Sequence, residues 1–117
     1  MKKIKMKTTL NANETIIRNG SANMLHGVDN SGGKLILTNH RVIFEANRFN
    51  LSRGEQLIEL FDVTKVETGW TKFLGILPLF PNAVLITISS GKRYRFALWG
   101  RNKWVKAILE AKASTAV

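Results

Sequence analysis

Lys92, Arg93 and Arg95 form the densest group of cations in the body of this chain. Guanidinium groups take phosphate in a bidentate fashion, so these residues suit recognition of a phosphorylated or otherwise anionic partner. Tyr94 and Phe96 alternate with the arginines. In a strand, that alternation sends the rings to the opposite face. Single-stranded nucleic acid needs aromatic rings beside the cations, so it is the less favoured partner. Catalysis has little to work with. His26 and His40 stand in different loops with no partner motif. No G-x-S-x-G, H-E-x-x-H or metal-ligand spacing occurs. Gly32-Gly33 is too short for a phosphate loop and leads into no helix. The expectation is a non-enzyme with no cofactor, no metal and no small-molecule substrate.

The elements that must position the cations are mostly strands. Glu14 to Leu25 reads as a first strand bent near Gly20, and Asp29 to Gly33 as a loop. Lys34 to Glu45 reads as a tight hairpin turning at Asn39-His40. In that register Leu37 faces Val42 and Leu35 faces Phe44 on a core side, while Ile36 meets Ile43 and Lys34 meets Glu45 on the other. The outer Ile36/Ile43 pair is a candidate contact patch, or else lies beneath the amino-terminal segment. Asn47 to Gly54 is a second loop, Glu55 to Leu60 a strand, Asp62 the organiser of a short turn, and Thr64 to Trp70 another strand.

The run from Phe73 to Pro81 is apolar and broken by Gly75, Pro78 and Pro81. It reads as an apolar connection, with Phe73, Leu74 and Phe80 as candidate membrane or partner contacts. Val84 to Leu98 is a last hairpin. A three-residue turn, Ser89-Ser90-Gly91, places Val84, Ile86, Tyr94, Phe96 and Leu98 on one inner face and turns Arg93 and Arg95 outward. Asn102 to Ala113 is the one helix, capped by Asn102, with Trp104, Ile108 and Ala111 as its apolar stripe. Trp99 is placed to seal the strand-to-helix joint. Trp70 is divided between core packing, the favoured reading, and an interfacial anchor.

Composition agrees with one small domain. The chain has 117 residues, 44% hydrophobic, and a net charge of +10. Lys2, Lys3, Lys5 and Lys7 place much of that charge at the amino terminus. The absence of cysteine excludes disulfides, thiolate zinc sites and cysteine nucleophiles. Polar residues from Thr8 to Glu14 interrupt any signal-peptide pattern. The expected organisation is a flexible basic lead-in over 1–12, a domain over 13–113 and a tail over 114–117.

Several blocks, in order, resemble a GRAM domain, a branch of the pleckstrin-homology-like superfamily. They are Gly20 to Asn23, Gly33 to Phe44, Ile58 to Glu67, Gly91 to Phe96 and Trp104. The resemblance is to the short bacterial-type, stand-alone versions and covers roughly residues 14–112. It implies a mainly β fold: a seven-stranded antiparallel sandwich, or partly open barrel, capped by one carboxyl-terminal α-helix. It also implies a binding role towards lipid headgroups or proteins. In such folds the loops after strands one, three and six share a rim. Here that rim collects Lys34, Arg48, Arg53, Lys92 and Arg93 for an anionic ligand, with Phe49 and Leu51 able to enter a bilayer interface. Peripheral binding to anionic membrane lipid is the leading expectation, and a protein-interaction adaptor or homo-oligomer the alternative. The expected location is the cytoplasm, with contact at the inner membrane surface.

Overall fold

The structure, a computed structural model, describes residues 6–26, 29–47, 55–73 and 77–115, with the backbone alone at 26, 29, 71–73 and 77–81. Among the described residues seven strands are followed by one helix. The strands are β1 (Ile16–His26), β2 (Asp29–Thr38), β3 (Arg41–Ala46), β4 (Gln56–Glu59), β5 (Val63–Phe73), β6 (Leu77–Ile88) and β7 (Arg93–Ala97), and the helix is α1 (Arg101–Thr115). A 3-10 turn, Leu60–Asp62, joins β4 to β5.

All pairings are antiparallel and the strand order is β4-β3-β2-β1-β7-β6-β5. Two strands consecutive in sequence, β4 and β5, are thus the two edges. In a flat sheet six strand spacings would hold them about 29 Å apart. The 3-10 turn between them advances only about 8 Å. The sheet must therefore curl until its edges approach. The turn fixes that closure through two backbone bonds: Leu60 N–H donates to His40 C=O in the β2–β3 turn, and Ser89 N–H donates to Asp62 C=O. The edges do not pair, so the barrel stays open, and α1 packs against β5, β6 and the 3-10 turn.

Both hairpins take the expected register. Leu35 opposes Phe44 and Leu37 opposes Val42. Thr87 opposes Arg93 and Ile86 opposes Tyr94, and Gly91 has φ +91 as the three-residue turn demands. The inner faces of β2, β3, β6 and β7 enclose Phe44 and Phe96, whose ring centroids lie 5.7 Å apart. Trp104, Ile108 and Ala111 of α1 complete this core.

Several expectations are corrected. Ile36 and Ile43 are wholly buried and offer no contact patch. They share the outer face with Arg41 and Glu45 on β3, and the amino-terminal segment is fastened to both. Lys7 and Thr8 N–H donate to the Glu45 carboxylate, and Thr9 C=O and Glu14 accept from Arg41. Residues from Lys7 onward, expected within a flexible lead-in, are thus bonded across this face. Asp29 to Gly33, expected as a loop, is the start of β2. A Cβ at Gly33 would strike the Glu45 carbonyl oxygen and lie 2.9 Å from Ala46 Cα, so glycine is what admits β3 to this ladder. The irregularity in β1 falls between Ile16 and Arg18 rather than at Gly20. Gly100, with φ +76, opens α1 by accepting the Trp104 N–H, so Asn102 lies inside the first turn instead of capping it.

The prolines also have a place. β6 pairs with β7 only as far as Ala83, opposite Ala97, while it pairs with β5 down to Leu77. Pro78 and Pro81 therefore occupy a length of β6 with a neighbour strand on one side only, where a missing N–H costs least.

Candidate functional site

The expected rim is gathered only in part. Lys92 and Arg93 lie together at the β6–β7 turn, and each has a partner. Lys92 Nζ sits 4.8 Å from the Tyr94 ring centroid, and Arg93 lies 3.6 Å from a Glu67 carboxylate oxygen. Lys34 sits elsewhere. Its β1 partner is Ser21, four residues short of Leu25, which opposes Arg95. Lys34 is thus about 13 Å along the strand from the level of Arg95. Arg48, Phe49, Leu51, Arg53 and Leu74 lie outside the described residues, and Phe73 and Phe80 are placed by backbone alone on β5 and β6.

Arg95, expected to point into solvent, is half-buried and its Nη1 donates to Trp70 C=O at 2.7 Å. Burial, and then the charge of Arg93, push its guanidinium below the usual value, with Glu67 opposing. Arg101 Nη1 donates to Gly69 C=O at 2.8 Å. Both acceptors sit where β5 slips register between Gly69 and Thr71. At this slip two guanidinium groups meet the backbone of an edge strand.

The same end of the molecule carries features that the sequence reading assigned otherwise. Trp99 is 83% exposed and Trp70 47%. Trp99 does not seal the joint, because the chain fixes its two neighbours instead. Leu98 is drawn into the core and its N–H donates to Asn82 C=O, then Gly100 turns left-handed to start α1. The residue between them is left outside. Trp99 lines two grooves. One, of about 290 Å³, is lined by polar residues including Ser21, Asn23, Lys34, Asn47 and Asn82. The other, of about 390 Å³, is lined by Asn82, Gly100, Arg101, Asn102 and Lys103. Indole beside ammonium and guanidinium groups has no catalytic chemistry of its own. It suits contact with a surface that is apolar in one layer and anionic in the next.

One sequence signal marks this region. Between Glu67 and Glu110 there is no acidic residue, while Lys72, Lys92, Arg93, Arg95, Arg101, Lys103 and Lys106 all fall there. The remaining carboxylates include Glu14 and Glu45, which are buried and bonded, and Glu55 and Glu59 at the β4 edge.

Neither a protein-family model nor a curated protein matches the chain. Solved structures do. The C-terminal domain of an unknown protein from Leishmania infantum aligns with a TM-score of 0.70 and 16% identity, over 87% of each chain. The Vps36 N-terminal PH domain aligns at 0.66 and 18%, over 92% of this chain and 86% of that one. The N-terminal PH domain of human ARAP2 aligns at 0.63 and 13%, over 96% and 90%. The fold, seven antiparallel strands and a terminal helix, is therefore that of these pleckstrin-homology domains.

Proposed function

We propose that this chain is a non-catalytic binding module of the GRAM type that attaches peripherally to anionic membrane lipid, from the cytoplasmic side. The Lys34–Phe44 hairpin and the order of the later blocks support the GRAM assignment. The observation that carries the lipid reading is the uneven charge along the chain: an acid-free third of it, from Thr68 to Leu109, presents its cations on a fold with no helix long and apolar enough, among the described residues, to cross a bilayer. A basic side chain near an anionic bilayer surface contributes about 1 kcal/mol, so three or four acting together give useful attachment that weakens with salt.

Vesicle sedimentation tests this. The protein should pellet with phosphatidylcholine vesicles containing a quarter phosphatidylserine, release as sodium chloride is raised, and leave pure phosphatidylcholine vesicles largely unbound. Equal binding to both vesicle types, or binding indifferent to salt, would rule the reading out. A protein-partner or self-association reading has one observation behind it, the 77% exposed Phe61 on the 3-10 turn. Light scattering that finds a monomer at high concentration removes its self-associating form.

A further inference from the structure

We infer that the membrane-contacting face is the end of the domain carrying Trp70, Trp99, Arg101 and Lys103, and not the rim at the β6–β7 turn. This rests on the lipid reading above and adds the face and its anchors. The strand register supplies the geometry. β7 stops at Ala97, opposite Ala83, whereas β5 and β6 stay paired for four more residues of β5, to Phe73 opposite Leu77. The hairpin thus overhangs its neighbour by about 13 Å. The overhang is built of Trp70, Thr71, Lys72 and Phe73 on one strand and Leu77 to Asn82 on the other. Apart from Lys72 it carries no charge, although strand edges facing water are usually guarded by charged residues.

The two exposed indoles stand at the base of this overhang. Trp70 follows Gly69, which opposes Ala83. Trp99 follows Leu98, which bonds to Asn82. Arg101 and Lys103, in the groove beside Trp99, provide the cationic layer behind them. Strand ends of apolar sequence, then exposed indoles, then cations, follow the order of chemistries met along a normal to an anionic bilayer. The turn of Lys92 and Arg93 lies at the opposite end of β6. An anionic bilayer is favoured as occupant over an acidic protein because exposed indoles backed by cations match a partner that is apolar in one layer and anionic in the next.

Two sets of variants decide the matter, measured with the same vesicles containing a quarter phosphatidylserine. Trp70→Ala and Trp99→Ala should each lower the vesicle partition coefficient about tenfold, which is what withdrawing about 55 Å² of indole from water supplies. Lys92→Ala/Arg93→Ala should lower it less than about threefold. Circular dichroism and melting should be unchanged in all of these, because every altered side chain is at least partly exposed. In the unaltered protein, bilayers with brominated acyl chains should quench tryptophan fluorescence. Tryptophan variants that bind as well as the parent, with the Lys92/Arg93 variant losing binding, would overturn the inference while leaving the lipid reading in place. Failure of the parent protein to bind any anionic vesicle removes both. Binding without bromine quenching also overturns the face assignment, since it leaves the indoles in water.

Discussion

The buried pair of Glu14 and Arg41 ties the amino-terminal segment to the sheet, and its removal has a calculable cost. Both side chains are nearly inaccessible. The Glu14 carboxylate accepts from Arg41 Nε at 2.9 Å and Nη2 at 3.0 Å, from Thr38 Oγ1 at 2.6 Å and from Asn11 N–H at 2.7 Å. Burial by itself would raise the Glu14 pKa. The hydrogen bonds from Arg41, Thr38 and Asn11, with the Arg41 charge, outweigh burial and hold it at about 2 against an ordinary 4.5. A carboxylate whose pKa is lowered in the folded state stabilises above its unfolded value. That stabilisation is therefore complete above about pH 4.5 and lost as pH falls towards about 2. At about 1.4 kcal/mol for each pKa unit the contribution is about 3 kcal/mol. Glu14→Gln leaves the Arg41 charge buried without its counter-ion, which independently points to a loss of about 3–5 kcal/mol. Urea unfolding followed by circular dichroism, from pH 7 to pH 2.5, measures both. The variant should be about 3 kcal/mol less stable at pH 7 and should converge on the parent in acid. A residual slope from Glu45 should remain in the variant. Burial raises the Glu45 pKa, but bonds from Thr8 and Lys7 prevail and lower it. A variant within 1 kcal/mol of the parent at pH 7, or two stability curves falling in parallel between pH 5 and pH 2.5, would refute the reasoning.

Two glycine substitutions separate steric from conformational demand. Gly33→Ala drives a methyl group into the Glu45 carbonyl, so it should cost about 3 kcal/mol in urea unfolding. Gly91→Ala meets nothing within 4 Å and has only its positive φ to pay for, so the loss should stay near 1 kcal/mol. Nearly equal losses would mean that the close approach of β2 and β3 is not what glycine provides at Gly33.

What could be read from the sequence was whatever local alternation and turn chemistry determine. The β2–β3 register followed from Leu35, Leu37, Val42 and Phe44 needing one face, and the three-residue turn at Gly91 from the need to keep Arg93 and Arg95 off the face of Ile86 and Phe96. What could not be read depends on partners distant in sequence. Gly32-Gly33 resembles a loop until Glu45 and Ala46 are known to press against it. Ile36 and Ile43 look like an exposed pair until residues 7–14 are known to be fastened at Glu45 and Arg41 on either side. Trp99 looks like core because large rings usually are. Only the competing anchors at Leu98 and Gly100 expel it. The residues of the proposed site come from positions 70, 82, 99, 101 and 103, on three elements and the β7–α1 joint, so no local pattern announces them. The missing acidic residues between Glu67 and Glu110 were the one visible trace.

The two ends of β6 also differ in what an arriving anion would meet. At the β6–β7 turn Arg93 faces Glu67, whose carboxylate remains partly exposed, so a phosphate approaching Arg93 is opposed by a like charge a few ångströms away. At the other end Arg101 has one of its five N–H donors occupied by a neutral carbonyl, Gly69 C=O. That bond orients the guanidinium without neutralising it, leaving its charge undiminished for an anionic headgroup. The register slip in β5 thus has a consequence beyond the sheet: the carbonyls of Gly69 and Trp70 hold Arg101 and Arg95 against the strand that bears one of the exposed indoles. Cation and indole are positioned by the same irregularity, so disturbing the slip should weaken both layers of the proposed membrane contact together.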